Sequence, residues 1–370
     1  MIALTHYHTV HTTNTELFED VKYPQRVHWF PETYAKAKTG MQYPVHKLGE
    51  LVLEPTIVKM LKDVPSQKTA FLLASGNSHF AGIPAGHNPN RLDYTYKFLP
   101  LTLTQVYAGR LASSMGAYDH ISTDASACAS SLKILMDVQS LINLYGFTRV
   151  IVLSLEDAVS NLVLDFFGES KACLQFSMEQ NGKKPSAFDK KNGQFYVGQG
   201  GVLAVFESEG GLIQSGFTPK AYLLGAYTSA EPCSNAIGQL SDGTGFVRAA
   251  QGAMDIAAVK NSEVRIIKTH GTGTESNNQA ESAALAHLFK NEFVATSFKP
   301  TIGHTMGASG LLETCLLLDA LHKNTVPAIQ NRTEDDRVYL SEPVIAPDGC
   351  ILSLAAGMGN VYSAAVFKRS

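Results

Sequence analysis

The chain reads as an α/β protein of stacked layers. Three observations carry that reading. Short apolar segments of strand length alternate with longer segments whose apolar residues recur at helical spacing. The alternation runs through the chain twice, once before and once after about residue 210. No Pro/Ser/Gly-rich linker separates the two rounds, so they are expected to pack as one body, with residues 1–210 as one half and 211–370 as the other. The length of 370 residues and a hydrophobic fraction of 45% allow a sizeable core.

The first sixty residues carry the weakest signals. If residues 2–12 form a strand, His6 and His8 share one face and His11 does not. With no carboxylate or cysteine beside them, these histidines are not read as a metal site. Tyr43 to Lys62 has helical spacing through Leu48, Leu51, Ile57 and Leu61, with Pro55 bending it or opening a turn. Lys68 to Ser75 is a buried strand that runs into a loop carrying His79 and His87. Leu101 to Gly116 is helical.

Ile121 to Asp124 is again strand-like. After the small residues Ala125, Ser126 and Ala127 comes Cys128, followed by apolar residues at 132, 134, 135, 138, 141 and 142. Cys128 therefore stands at a strand-to-helix turn. Free N–H groups and the positive end of the helix dipole favour a thiolate there. A lone cysteine in such a place is most often a buried structural thiol. Arg149 to Leu155 is a strand, Asn161 to Phe176 a helix, and Val202 to Glu207 a strand after a Gly-rich stretch.

The second round has a strand at Ala221 to Thr228, a helix at Gly245 to Lys260, a strand at Val264 to Thr269 and a helix at Asn277 to Lys290. A strongly apolar helix spans Met306 to Lys323. Strands at Ile351 to Ala356 and Val361 to Lys368 flank Gly357-Met-Gly-Asn360.

Several functional classes are excluded at this level. The net charge of −3 offers no basic surface for nucleic acid or an anionic membrane. No apolar run approaches a membrane span, and no signal peptide opens the chain, so a cytoplasmic location is expected. Five dispersed cysteines (128, 173, 233, 315 and 350) give neither a disulfide framework nor a zinc pattern.

Two motifs change the reading of Cys128. In Thr269-His-Gly-Thr-Gly-Thr274, His270 leaves a strand. Gly271 and Gly273 would let the backbone approach a ligand, and Thr272 and Thr274 could offer hydroxyls to an amide-bearing chain. In Lys299-Pro-Thr-Ile-Gly-His304, His304 precedes a small-residue helix, where the dipole disfavours its cationic form. A neutral imidazole there can donate an N–H to a developing oxyanion.

Taken together, Thr123-Asp-Ala-Ser-Ala-Cys-Ala-Ser-Ser-Leu132, His270-Gly-Thr-Gly-Thr274 and Lys299-Pro-Thr-Ile-Gly-His304 resemble the three signatures of the β-ketoacyl synthases. The similarity extends to Gly109-Arg-Leu-Ala112, to Ala187 through Gly200 and to Gly357-Met-Gly-Asn-Val-Tyr-Ser-Ala-Ala365. It covers most of the chain from about residue 70.

The resemblance implies the thiolase fold, five layers in the order αβαβα built from two similar halves and usually dimeric. It also implies a decarboxylating condensation of an acyl group on Cys128 with a malonyl group borne by an acyl carrier protein. His270 and His304 would stabilise the enolate. Lys299 would support the electrostatics around His304, and Glu281 would order the region. The backbone N–H groups of Cys128 and Met358 would form the oxyanion hole, and Thr272 and Thr274 would contact the pantetheine arm. No metal or organic cofactor is implied beyond the carrier's phosphopantetheine. The partner would be a second like chain or a ketosynthase-like subunit.

The chain departs from the family pattern at Met358, where a gating phenylalanine is usual, and at Asn360, Asn278 and Gln199. These departures point to a specialised polyketide or polyene pathway. The competing reading is a non-elongating chain-length partner subunit, a class that usually lacks the cysteine.

Overall fold

The computed structural model describes residues 1–19, 21–30, 44–64, 66–76, 103–115, 119–232, 237–290, 292–334 and 336–370. His79, His87 and Cys233 lie outside them. In the first half the chain runs β1 (Ile2–Val10), β2 (Thr15–Phe18), β3 (Gln25–His28), α1 (Pro44–Val52), α2 (Pro55–Asp63), β4 (Thr69–Ala74), α3 (Thr104–Met115) and β5 (His120–Asp124). There follow α4 (Ser130–Asn143), β6 (Arg149–Asp157), α5 (Asn161–Glu169), α6 (Phe176–Gln180), β7 (Val197–Ser208) and α7 (Glu209–Ser215). The remainder is β8 (Ala221–Ala230), α8 (Thr244–Ala257), β9 (Val264–Lys268), α9 (Glu275–Leu288), β10 (Val294–Thr296), α10 (Lys299–Ile302), α11 (Ser309–His322), β11 (Thr325–Val326), β12 (Val344–Ile345), β13 (Cys350–Gly357) and β14 (Val361–Arg369).

Ten strands form one path in the order β5-β4-β6-β7-β1-β8-β14-β13-β9-β10. Read outward from the middle, both runs of five repeat one pattern: antiparallel, antiparallel, parallel, parallel. The runs join where Ile2 to Leu4 of β1 pair with Ala221 to Leu223 of β8.

Side-chain alternation along each strand assigns the layers. Successive residues point to opposite faces, so a strand apolar on both faces must be covered twice. Ala70, Leu72 and Ala74 of β4 join a central cluster with Leu132, Leu135 and Val138 of α4 and Leu311, Leu317 and Leu318 of α11. Phe71 and Leu73 face the other way, into Leu48, Val52, Tyr107 and Leu111 of α1 and α3. On the second run, Ile351 and Ala355 of β13 face the centre, while Leu352, Leu354 and Ala356 pack on Phe246, Ala253, Ala280 and Leu285 of α8 and α9. Layers α1/α3, sheet, α4/α11, sheet and α8/α9 result, which is the five-layer order expected.

The differences from the sequence reading have local causes. Pro55 divides the expected Tyr43–Lys62 helix in two; it opens α2, and the Glu54 carboxylate caps that helix by accepting the Ile57 N–H at 2.8 Å. The expected Asn161–Phe176 helix stops at Glu169, because Lys171 takes a left-handed φ of 55°. The expected Met306–Lys323 helix opens with a tight turn, Met306–Ala308, before α11 begins. His6 is accounted for by packing, since its ring meets Phe217 edge-on at 4.6 Å. Among the described residues no helix is long and apolar enough to cross a membrane.

Leu132 is fully buried in the middle layer. Leu132→Ala should cost about 3 kcal/mol, the cavity-forming range for a core leucine. Leu162→Ala, at a position 58% exposed, should cost less than about 0.5 kcal/mol. Urea denaturation of the two variants checks the contrast, and equal midpoints would count against the layer assignment.

Candidate active site

Two helices of the middle layer bring the site together. β5 ends at Asp124, whose carboxylate accepts the Ser126 N–H at 3.0 Å. Ala127 then takes a left-handed φ of 47° and opens a tight turn, Ala127–Ala129, that feeds α4. The same construction recurs before α11. Met306 has φ 39° and opens the turn Met306–Ala308. Ser131 joins the two, its hydroxyl accepting the Leu311 N–H at 3.1 Å. Cys128 is 6% exposed, and its Sγ lies 3.9 Å from the Met306 Sδ.

His270 follows β9 and is held by its main chain. Its N–H and that of Gly271 donate to the two oxygens of Glu281, at 2.5 and 2.9 Å. Asn277 adds a third hydrogen bond to that carboxylate at 2.9 Å. The His304 N–H donates to the Tyr196 carbonyl at 2.7 Å, its carbonyl accepts from Gly198 at 3.0 Å, and Phe195 meets the ring edge-on at 4.9 Å. The two imidazoles stand 5.6 Å apart between centroids, nearly perpendicular. Lys299 reaches between α10 and α11, its ammonium donating to the His270 carbonyl at 2.5 Å and to Glu313 Oε1 at 2.8 Å.

Burial is the main electrostatic fact of this region. It pushes both imidazoles well below the ordinary histidine range, with the Lys299 charge adding to the effect. Both rings are therefore neutral near pH 7. Their Nδ1 atoms are buried without a partner. A neutral ring of this kind with its proton on Nε2 can donate to an oxyanion.

Burial also pushes the Cys128 thiol up to about 12, with the Lys299 charge as the chief opposing influence. The sequence-based expectation of a resting thiolate is thus overturned. Cys128 does sit at the start of a helix, but desolvation outweighs the helix terminus.

Cys128, His270, His304, Thr272, Thr274 and Met358 all line one cavity of about 380 Å³. The Thr272 and Thr274 hydroxyls stand 3.0 Å apart. Gly271 and Gly273 are also required by the protein around them. Both have positive φ, and a Cβ on Gly273 would lie 1.9 Å from the Ser186 carbonyl. Their close approach is to neighbouring protein, which fixes the loop. Gly357 is pressed against the nucleophile turn, where a Cβ would meet the Ser126 carbonyl at 2.6 Å. Asn360 adopts a left-handed φ of 61°, which asparagine tolerates better than most residues. Gln199 is fully buried; its amide donates to Asp157 and accepts the Phe30 N–H.

Sequence reasoning missed four residues. Met306 touches Cys128. Glu156, buried beneath the two turns, accepts the Gly76 and Gly307 N–H groups at 2.7 and 3.0 Å. Lys268 and Glu313 form a buried ion pair beside Lys299. A glutamate inside the apolar run of α11 was the signal that could have exposed this last group.

Residues 221–333 match the family model described as the β-ketoacyl synthase C-terminal domain. The chain is 26% identical over 279 residues to a polyketide β-ketoacyl synthase of Streptomyces halstedii, covering 73% of this chain and 64% of that protein. It is 26% identical over 274 residues to the chloroplastic 3-oxoacyl-[acyl-carrier-protein] synthase II of Arabidopsis thaliana, covering 71% and 49%. The chain thus spans less than two thirds of the length of these curated relatives.

Among solved structures, it superposes on a type II polyketide ketosynthase complexed with its acyl-carrier protein at a TM-score of 0.81, with 18% identity, covering 100% and 99% of the two chains. The ishigamide ketosynthase/chain length factor gives 0.79 at 17% identity, covering 100% and 99%. At such identities the likeness is one of fold.

Two measurements check the electrostatics. The alkylation rate of Cys128 by iodoacetamide should keep rising from pH 7 to pH 10, because the thiolate fraction grows throughout; a plateau below pH 8 would contradict the raised thiol. The buried neutral imidazoles should make the fold acid-sensitive. Unfolded histidines take up protons near pH 6.5, whereas His270 and His304 do so only well below it. Stability should therefore fall as pH drops through 6.5, by up to about 1.4 kcal/mol per pH unit for each imidazole. Urea titrations at pH 7.5 and 5.5 compare the two conditions, and equal stabilities would contradict neutral burial.

Proposed function

The chain is a β-ketoacyl synthase homologue with the thiolase fold, and on that premise we propose that it catalyses decarboxylative Claisen condensation in type II polyketide or fatty-acid synthesis. One observation carries the reading. A buried thiol, two neutral imidazoles, the Met358 turn and two threonine hydroxyls all meet in a single cavity.

The chemistry takes two steps. In the first, the Cys128 sulfur attacks the acyl thioester of a carrier protein. The carrier's pantetheine thiol leaves with the proton that Cys128 gives up, and the acyl group stays on Cys128. Lys299 carries the positive charge that favours the thiolate as it forms.

In the second step a malonyl thioester occupies the cavity. Its carboxylate leaves as CO₂, and the electron pair moves into an enolate whose oxygen accepts N–H bonds from His270 and His304. Neutral donors already oriented towards the cavity need little reorganisation as that charge appears. The enolate carbon attacks acyl-Cys128. The resulting oxyanion is held by the main-chain N–H groups of Cys128 and Met358. Collapse expels the cysteine sulfur, which regains a proton, and releases the β-ketoacyl carrier. Glu281 orients His270 through its main chain, and Thr272 and Thr274 hydrogen-bond the amides of the pantetheine arm. The phosphopantetheine belongs to the substrate carrier, and no other cofactor is invoked.

In this proposal the catalytic body is formed by residues 1–210, which supply Cys128, and residues 211–370, which supply both histidines. It works as a dimer, with a like chain or with a ketosynthase-like subunit. The second arrangement is favoured by fold neighbours that are pairs of a ketosynthase and a chain length factor. The same neighbours motivate the alternative, a non-elongating partner subunit. The presence of Cys128, His270 and His304 around one cavity, with Lys299 bonded to the His270 carbonyl behind it, favours the elongating role.

Incubation with acyl-carrier protein should give an acyl adduct on Cys128, read by intact mass. Absence of an adduct with any carrier-bound acyl chain would favour the partner-subunit reading. Cys128→Gln should abolish condensation while keeping or raising malonyl-carrier decarboxylation. His304→Ala should lower decarboxylation by about 10²–10³, as for the loss of an oxyanion donor, and a wild-type rate in that variant would remove His304 from the mechanism.

A further inference from the structure

One buried charge near the cavity has no role in the chemistry just derived. Lys268 is 0% exposed, lies on β9 and stands two residues before His270. Its ammonium donates to the Leu354 carbonyl of β13 at 2.8 Å and lies 3.4 Å from Glu313 Oε2. Lys299 takes the other oxygen of the same carboxylate at 2.8 Å and also holds the His270 carbonyl. A single glutamate is thus shared, one oxygen each, by two ammoniums, and all three groups are at most 1% exposed.

Resting on the condensing-enzyme reading, we infer that Lys268 is a positioning residue for His270 and for the Met358 turn. The argument is one of partners. With Lys268 against Oε2 and Lys299 against Oε1, the Glu313 carboxylate is held between two ammoniums, and Lys299 donates a further hydrogen to the His270 carbonyl. Without Lys268, the bare buried Oε2 would pull the Lys299 ammonium towards it and shift that ammonium relative to the His270 carbonyl it holds. The bond to Leu354 acts on the second element. From Leu354, β13 continues to its end at Gly357, and Met358 follows at the cavity, so Lys268 ties the strand that leads to the imidazole to the strand that leads to the proposed oxyanion turn.

Burying this second ammonium is costly, and a methionine of similar volume would fill the space without that cost. Burial pulls Lys268 down to about 8, with Glu313 opposing the shift. The charged groups around it are Glu313 on α11, Lys299 on α10 and Glu281 on α9, and its charge contributes to lowering both His270 and His304.

The test compares wild type, Lys268→Met and Lys268→Arg, each checked for folding by thermal melting. Two readings are taken: malonyl-carrier decarboxylation, and the ring-nitrogen NMR shifts of His270 at pH 7.5. In Lys268→Met, kcat for decarboxylation should fall at least tenfold, with KM within threefold of wild type, and the His270 ring signals should shift. Lys268→Arg should recover a third or more of the lost rate. A purely structural lysine would lower the melting temperature but leave kcat per folded site and the ring signals unchanged, and that outcome overturns the inference. Failure of the wild type to decarboxylate would instead sink the condensing-enzyme reading. The NMR comparison then decides the lysine's role alone, with unchanged signals counting against it.

Discussion

The structure depends on the meeting of two helix N-termini in the middle of the molecule. α4 and α11 lie side by side between the two runs of strands, locked by the Ser131–Leu311 hydrogen bond and by leucines from both helices. Each helix is entered through a tight turn whose first residue has positive φ, Ala127 in one and Met306 in the other. Because the turns face each other, Cys128 from the first half and the His304 segment from the second share one cavity. Separating the helices would leave each half with part of the chemistry.

Charge sets the second constraint. Buried behind the residues that line the cavity are three carboxylates (Glu156, Glu281 and Glu313) and two ammoniums (Lys268 and Lys299), and every one of them is hydrogen-bonded. The carboxylates do not touch substrate. They hold main-chain N–H groups and lysines, and through these they hold the imidazoles. Fixed partners of this kind let a site present neutral donors without moving at the moment of reaction. The surroundings also explain why the histidines are neutral. Burial contributes most, the lysines add to it, and the helix terminus invoked from sequence is not needed.

Much of this was legible in the sequence because it is written in local patterns. Strand-to-helix alternation reveals the layers, and the small residues around Cys128, His270 and His304 mark turns beside a reactive group. Other features are invisible to local patterns. Lys268 reads as a residue near the end of a strand and Glu313 as one polar letter in an apolar helix, and only the crossing of α11 over β9 joins them. Met306 looks like ordinary helical filling until its backbone proves left-handed. The protonation state of Cys128 was misread because position along a helix can be inferred from spacing, whereas depth of burial depends on elements distant in sequence. β1, whose stretch gave the weakest signals, lies at the centre of the strand order.

The depth of Cys128 has a consequence for survival in an oxidising cell. Peroxides attack thiolates far faster than thiols. Burial pushes the Cys128 thiol up to about 12, which keeps it protonated near pH 7. An idle site of this kind is sheltered from conversion to sulfenic and sulfinic acids. The neighbouring Met306 thioether, itself fully buried, is shielded from oxidants by the same packing. Burial thus holds the Cys128 sulfur in the less oxidisable thiol form and keeps it and Met306 out of reach of oxidants together.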